Sequence, residues 1–254
     1  MKTRQKHHTT SNSLTYQIME FSDLQPTIQW LKTPGSKSTC HPGLEYLTQI
    51  NQLLVGERFD LLQVNSHFAN NKTYDIKNNR GQRLFFAEEK CNCFLRYLCG
   101  PQRPLTMTIY DNSGQDVIKM HKTLGCSCCW ANYYLQKLKV IMPPGETIGY
   151  VYQLCHPFSP EFIIKDKNKE AIMIIRGPCT VFSYLNYLTF HILSLDEEMV
   201  IGKISNQMNT LMEGLNASDG KFGVQFPFDL DAKIKALILG ASFLIDCMYF
   251  KLWC

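Results

Sequence analysis

Five strand–turn–strand units recur along this chain, and they constrain its fold more than any other feature. Each unit joins two short runs of β-branched and aromatic residues through a tip containing Asn, Asp, Gly or Pro. The tips lie at 78–81, 111–114, 143–145, 165–169 and 196–198. Such residues favour tight turns, so each unit predicts a β-hairpin. About ten antiparallel strands usually close into a barrel or stack as a sandwich, because open sheet edges invite aggregation. The predicted fold class is therefore mainly β.

Composition supports a folded chain and excludes several classes of protein. The 254 residues are 45% hydrophobic and 12% aromatic, which is enough for one large domain with a buried core. Disordered, collagen-like and low-complexity chains are excluded by these values. The net charge of +4 is too small to indicate nucleic-acid binding by itself, so we predict no nucleic-acid partner.

The chain divides into a polar arm and a folded domain. Residues 1–40 are rich in Ser and Thr and are interrupted by Pro26 and Pro34, which predicts a flexible N-terminal arm. Residues 41–254 form the predicted β domain, which opens with a short helix-like or staple segment from Gly43 to Val55. An odd number of cysteines, 11, and a start without a signal-peptide pattern indicate a reducing, cytosolic environment.

The C-terminal segment, residues 234–250, is predicted to be a hydrophobic helix. Ala236 to Phe250 is apolar on all sides, which fits either a buried central helix or a membrane span. This stretch would reach about 22 Å, short of a hydrocarbon core about 30 Å thick, and Asp246 also opposes insertion. We favour the buried helix. The residues that characterise the segment are Ala236, Leu239, Phe243, Asp246 and Phe250.

The chain carries no recognised catalytic motif. It lacks HExxH, the G-x-S-x-G nucleophile motif and the Rossmann glycine pattern. Cys155 and His156 are adjacent, but neighbouring residues of a strand face opposite sides of the sheet and would not form a thiol–imidazole dyad. We therefore predict a protein without covalent catalysis.

Cysteines cluster at Cys126, Cys128 and Cys129, and three interpretations of this cluster are open. Nearby aromatic residues and lysines suit S-acylation at a membrane surface, where two or three acyl chains anchor a protein firmly. Alternatively, Cys126 and Cys129 could join Cys91 and Cys93 as thiolate ligands of a tetrahedral zinc site. The third interpretation is a set of ordinary reduced loop cysteines.

Several segments of the chain resemble the phospholipid scramblase family. They follow the family's order and spacing from about Pro42 to Phe250. The matching segments are 41–47 (HPGLEYL), 81–83 (GQR) before a Phe pair, 111–115 (DNSGQ), 143–145 (PPG) with 148–151 (IGYV), 177–179 (GPC), 201–205 (IGKIS) and 222–231 (FGVQFPFDLD). The chain is similar to a divergent member of the family without the proline-rich N-terminal extension of longer relatives.

This resemblance implies a tubby-like fold, a closed antiparallel barrel of about twelve strands around the C-terminal hydrophobic helix. It implies calcium-stimulated, ATP-independent, bidirectional movement of phospholipids between membrane leaflets. It also implies palmitoylation, here on Cys126, Cys128 and Cys129, at the cytoplasmic face of the plasma membrane. The expected partners are the phospholipid membrane and a second copy of the chain, because one marginal span could not make a lipid path alone.

The resemblance further implies a calcium-binding segment, which aligns with residues 218–229. The acidic first and third positions of the family fall on Ser218 and Gly220, so the candidate ligands here are Asp219, Asp229 and Asp231. Such a site would bind calcium at the millimolar end of the known range. Alternatively, Asp229 and Asp231 cap the C-terminal helix. The alternative function is an acyl-anchored adaptor that binds lipids or proteins and transports nothing.

Overall fold

The computed structural model describes residues 30–31, 42–58, 71–90, 93–125, 135–179, 188–206 and 222–250. Over these ranges the chain forms a closed barrel of twelve antiparallel strands, which confirms the predicted fold class. The strands are β1 Gln52–Arg58, β2 Lys72–Lys77, β3 Arg83–Lys90, β4 Leu105–Tyr110, β5 Asp116–Lys122, β6 Lys137–Met142, β7 Glu146–Leu154, β8 Glu161–Asp166, β9 Ala171–Arg176, β10 Thr189–Leu193, β11 Val200–Ser205 and β12 Phe222–Gln225.

The five predicted hairpins are all present. They correspond to β2–β3, β4–β5, β6–β7, β8–β9 and β10–β11, and each pairs antiparallel. Their tips use the expected turn chemistry; for example, one Asp111 carboxylate oxygen accepts hydrogen bonds from the backbone N–H groups of Ser113 and Gln115. Local sequence therefore determines most of the sheet.

The helix-like segment predicted from Gly43 to Val55 is only partly helical. A 3₁₀ helix covers Glu45–Gln49, and Leu53 to Val55 belong to β1 instead. This part of the prediction was wrong because β1 is held by β2 and β12, and β12 is far away in sequence. The pairing of β1 with β12 closes the barrel.

Side chains alternate between the barrel interior and its outer surface, as the two-residue period of a strand requires. In β6, Leu138, Val140 and Met142 are buried, whereas Lys137 and Lys139 are exposed. The interior positions of the other strands are likewise occupied mainly by Ile, Val, Leu, Met and Phe. The barrel interior is therefore a packed apolar core.

The two ends of the barrel differ in their connections. At one end the hairpins turn within 78–82, 111–115, 143–145, 167–170 and 194–199. At the other end the strands are joined by 59–71, 91–104, 123–136, 155–160, 177–188 and 206–221, and all but one of these connections contain at least twelve residues. We call these the turn end and the long-connection end.

Two helices complete the described structure. The short helix α1, Cys93–Cys99, lies within a long connection and is followed by a 3₁₀ turn, Gly100–Gln102. The C-terminal helix α2, Ala232–Ile245, begins at the turn end and continues as a π-helical segment, Asp246–Phe250. The sequence predicted α2 and its continuation together, as one helix over 234–250.

Helix α2 fills the barrel. All of its residues except Lys233 and Ile234 are buried. The ring of Phe243 packs edge-on against Tyr74 of β2 and Phe222 of β12. On the opposite wall, a Cβ atom on Gly149 of β7 would lie 2.9 Å from Leu237 and still closer to the carbonyl oxygen of Lys165, so glycine lets β7 lie close to both the helix and β8. These contacts correspond to the central-helix interpretation of the sequence.

None of the helices within the described ranges is long and apolar enough to cross a membrane.

A short piece of the predicted N-terminal arm lies against the barrel. Trp30 forms a parallel bridge with Arg83, and the Arg83 guanidinium lies 5.0 Å from the centre of the Trp30 ring. The backbone N–H of Leu31 donates to the Arg83 carbonyl at 2.9 Å. The remainder of residues 1–40 lies outside the described residues.

Candidate functional site

A buried lysine occupies the turn end of the barrel, where α2 begins. The Lys235 ammonium donates to the carbonyl oxygens of Leu47, Ile50 and Phe228 at 3.0, 2.8 and 2.7 Å. These three bonds match the three hydrogens of the ammonium. The charge also lies 5.2 Å from the centre of the Phe226 ring, a cation–π contact. Lys235 therefore ties the helix to the segments before β1 and after β12.

The predicted calcium ligands Asp229 and Asp231 lie near this lysine. Burial lowers the pKa of Lys235, and the negative charges of Asp229 and Asp231 oppose that shift by favouring the ammonium. Both aspartates are exposed. At the turn end, two solvent-facing carboxylates thus partly compensate one buried cation.

Asp231 has a structural role of its own. One of its carboxylate oxygens accepts hydrogen bonds from the backbone N–H groups of Lys233 and Ile234 at 2.8 and 3.3 Å. These bonds satisfy two of the amides that the first turn of a helix leaves without a partner. Asp231 is therefore the N-cap of α2, as the alternative interpretation of the sequence expected for this residue.

Among the described residues, the structure shows no cluster of side-chain ligands at the predicted calcium segment. Calcium usually takes roughly six to eight oxygen ligands. No group of three His, Cys, Asp or Glu side chains close enough to hold a metal occurs within the ranges that the structure covers. Asp219 lies outside those ranges, and β12 occupies positions 222–225 between it and Asp229. The three-aspartate site stays a prediction.

A second polar cluster lies at the long-connection end, inside the barrel. The Arg103 guanidinium donates to Glu89 at 2.5 Å, and neither side chain is more than 2% exposed. The Tyr74 hydroxyl donates to the other Glu89 oxygen at 3.1 Å. Arg103 also donates to the Gly100 carbonyl, which lies just after α1. The cluster holds the connection between β3 and β4 against the barrel wall.

The end of the C-terminal helix meets this cluster. Asp246, a residue of the predicted hydrophobic segment, is 1% exposed and borders a cavity of about 10 Å³ together with Glu89 and Lys122. This volume is about the room needed by one water molecule. Lys122 donates to the carbonyls of Pro101 and Arg103 at 2.9 and 2.7 Å. Asp246 is thus buried beside two other charged side chains, in a cavity whose remaining lining is apolar.

The same environment perturbs Tyr74. Burial raises its pKa well above the usual value, and the nearby negative charges of Glu89 and Asp246 raise it further. Tyr74 therefore stays protonated and serves as a hydrogen-bond donor to Glu89. The cluster is suited to joining the helix, the barrel wall and the connection between β3 and β4.

The remaining candidate residues of the hydrophobic segment line the core. Ala236 and Leu239 are fully buried, and Phe243 is 5% exposed. Phe250 is half-buried, and its ring packs against Phe190 and Phe222.

The candidate acylation residues Cys126, Cys128 and Cys129 lie outside the described residues. Their connection starts after Lys122 and returns at Lys137, both at the long-connection end. For the zinc interpretation, Cys91 is also outside the described residues, and only the backbone of Cys93 is described. Acylation and zinc binding both remain predictions.

Lys235, Glu89 and Arg103 did not appear among the candidate residues from the sequence. Lys235 has a sequence signal, since it is the second of two lysines at the start of a mainly apolar helix. Glu89 and Arg103 have none, because their pairing joins a strand to a long connection and follows only from the closed barrel.

Comparison with known proteins identifies relatives. The family model described as Scramblase matches residues 32–252. Phospholipid scramblase 1 of Homo sapiens is 44% identical over 224 residues, covering 88% of this chain and 70% of that protein. Phospholipid scramblase 2 of Bos taurus is 44% identical over 225 residues, with coverages of 89% and 77%. Phospholipid scramblase family member 5 of Homo sapiens is 39% identical over 210 residues, with coverages of 83% and 78%. No significant match to a solved structure was found.

Proposed function

Because this chain belongs to the Scramblase family, we propose that it moves phospholipids between the two leaflets of a membrane. The proposal includes movement in both directions, without ATP and without covalent catalysis. The observation that carries it is the similarity over more than four-fifths of the chain to proteins named phospholipid scramblases. The cytoplasmic face of the plasma membrane is the proposed location.

The filled barrel limits how the transport would occur. Helix α2 and the inward side chains of the strands form one continuous core, so the part of the barrel that the structure describes offers no passage for a lipid headgroup. A headgroup must still cross about 30 Å of hydrocarbon. We infer that lipids cross beside the protein, where it perturbs or thins the bilayer, and that two or more copies act together.

Attachment to the membrane is assigned to acyl chains. The segment that contains Cys126, Cys128 and Cys129 joins the end of β5 to the start of β6, and both of these strand ends lie at the long-connection end. Two or three acyl chains are needed for firm anchoring. In this arrangement the barrel stays at the membrane surface and α2 stays inside the barrel.

We also propose that calcium stimulates this lipid movement. Asp229 and Asp231 are the candidate ligands among the described residues, and both are exposed. Asp231 uses one oxygen for the helix cap, and both carboxylates already favour the charge of Lys235. Weak calcium binding is therefore expected.

The alternative function is an acyl-anchored adaptor that binds lipids or proteins without transporting them. The filled interior supports it, because a barrel without a lumen serves as a binding module as readily as a transporter. If the chain is an adaptor, it should bind membranes without changing the distribution of lipids between the leaflets.

Leaflet exchange in liposomes separates the two functions. The purified full chain would be reconstituted with a fluorescent phospholipid, with and without calcium, beside Asp229→Asn. Exchange that exceeds that of empty liposomes supports transport, and a calcium response lost in Asp229→Asn supports the calcium element. Exchange equal to empty liposomes, by protein shown to be folded and bound, overturns transport in favour of the adaptor.

A further inference from the structure

We propose that the long-connection end docks onto an anionic phospholipid bilayer through an exposed apolar patch flanked by lysines. The apolar patch consists of Phe94, Tyr97, Leu98 and Leu124. This inference deepens the proposed function, since it assigns the part of the barrel that meets the membrane. It does not depend on the acyl chains.

Three residues of the apolar patch lie on one face of α1. Phe94, Tyr97 and Leu98 occupy positions i, i+3 and i+4, which a helix places side by side. Their side chains are 65%, 90% and 61% exposed. A helix in a folded domain normally turns such a face toward the core. Here this face points to solvent, as in helices that lie on membrane surfaces.

The fourth residue extends the patch onto a neighbouring connection. Leu124 is 61% exposed. The backbone N–H of the next residue, Gly125, donates to the Gln102 carbonyl at 3.3 Å, in the 3₁₀ turn that directly follows α1. Leu124 therefore lies beside the segment that carries the other three side chains. Adjacent exposed apolar residues of this kind mark a contact surface.

Lysines flank the patch on both sides. Lys90, 57% exposed, ends β3 just before α1. On the other side, the backbone N–H of Thr123 donates to the carbonyl of Lys137, which starts β6. Lys139 follows on the same outer face. Lys90 itself pairs with Glu88 at 3.7 Å.

This charge pattern selects the anionic bilayer as the occupant. Lysines near an anionic leaflet are attracted to it, while apolar side chains between them enter the headgroup region. A second copy placed face to face would bring lysines against lysines. The turn end lacks the pattern: its exposed carboxylates Glu170, Asp196, Glu198 and Asp229 are interspersed with Lys167, Lys169 and Lys233.

Vesicle flotation of the full, unacylated chain tests the proposal. The patch variant combines Phe94→Ser, Tyr97→Ser and Leu98→Ser, and the matched control combines Leu195→Ser and Met199→Ser at the turn end. We expect the patch variant to lose about tenfold or more of its binding to vesicles of phosphatidylcholine with phosphatidylserine, and the control to bind as the parent does. Lys137→Gln with Lys139→Gln should weaken binding to these vesicles but not to pure phosphatidylcholine.

Other outcomes would overturn the proposal. Undiminished binding by the patch variant, or an equal loss in the control, would reject docking at this end. The proposal would also be rejected if the parent forms a dimer that dissociates in the patch variant while vesicle binding persists. The apolar patch would then be covered by a second copy of the chain. Circular dichroism of each variant verifies the fold. Flotation measures docking and does not require lipid exchange. A chain that binds vesicles through the apolar patch but moves no lipid would therefore overturn the transport function and leave the docking proposal intact.

Discussion

Arg103 donates to Glu89 at 2.5 Å inside the barrel, with both side chains almost completely removed from solvent. Removing one partner of a buried ion pair leaves an uncompensated charge, which typically costs about 3–5 kcal/mol of unfolding free energy. We therefore expect Arg103→Met and Glu89→Met each to destabilise the chain by about this amount. The double variant should be less destabilised than the sum of the two, because no charge remains alone.

Urea unfolding of these variants measures the coupling. Lys233→Met provides the matched control, since the Lys233–Glu146 pair joins two exposed side chains at 3.5 Å. Its loss should cost less than about 1 kcal/mol. Additive effects of Arg103→Met and Glu89→Met would contradict the pairing.

Tyr74→Phe should change how stability depends on alkaline pH. The raised pKa of Tyr74 means that, above pH 10, the unfolded chain has lost the phenol proton while the folded chain keeps it. Folding then takes up a proton, so the stability of the parent falls as pH rises, by about 1.4 kcal/mol per pH unit from this group.

The Tyr74→Phe variant lacks that contribution, so its unfolding free energy should fall less steeply above pH 10. At pH 7 it should be less stable than the parent by about 1 kcal/mol, because the hydrogen bond to Glu89 is lost. Denaturant unfolding between pH 7 and 11 measures both effects. Tyr97→Phe, at an exposed position, is the control and should follow the parent curve. If the unfolding free energies of Tyr74→Phe and the parent fall equally steeply with pH, the Tyr74 hydroxyl is not buried as the structure shows.

Leu237→Ala tests the position of the C-terminal helix. Leu237 is 1% exposed and packs where Gly149 admits the helix, so its truncation should leave a cavity and cost about 2–5 kcal/mol. Leu195→Ala, at a half-exposed leucine of the turn end, should cost less than about 0.5 kcal/mol. Both changes in unfolding free energy would be measured in solution without lipid. Equal, small effects would mean that the helix does not pack inside the barrel.

Two substitutions of Asp231 separate its roles as helix cap and calcium ligand. Asp231→Ala removes the cap and should cost about 0.5–2 kcal/mol of stability, whereas Asp231→Asn keeps a capping oxygen and should stay close to the parent. If Asp231 binds calcium, any shift of the melting temperature by calcium should shrink in Asp231→Asn. A calcium response that is unchanged in this variant would leave Asp231 as a cap alone.

The cysteine cluster gives a test of the anchor. Changing Cys126, Cys128 and Cys129 together to Ser should move the chain expressed in cells from the membrane to the soluble fraction, because acyl chains could no longer attach there. Cys155→Ser with Cys179→Ser, at two exposed cysteines, is the matched control. Palmitate labelling and fractionation are the measurements. Membrane retention after complete loss of label would reject acyl anchoring.

Sequence patterns predicted the local parts of this fold and missed the contacts between distant segments. Hairpins such as β4–β5 are specified by neighbouring residues, so turn chemistry at Asp111 to Gly114 was sufficient to find them. β1 and β12 are different, because their strand character depends on each other across the whole chain. Only four residues of β12 form a strand, too few for periodicity to show.

The same contrast between local patterns and distant contacts applies to the candidate site. The sequence singled out Asp246 as a charge in an apolar run, and the structure buries it beside Glu89 and Lys122. The ion pair of Glu89 with Arg103, and the three carbonyls that accept from Lys235, depend on barrel closure and left no local pattern to read. α1 escaped prediction because seven residues within a long connection carry little periodic signal.

The unequal ends of the barrel give its two rims different tolerance to insertion. An extra residue at a tight turn risks shifting the register of a strand, which would exchange its inward and outward faces. A connection of twelve residues can double in length at a closure cost of only about 0.6 kcal/mol. Selection can therefore lengthen and rework one rim while the other keeps the strands in register, so new surface chemistry arises without rebuilding the core.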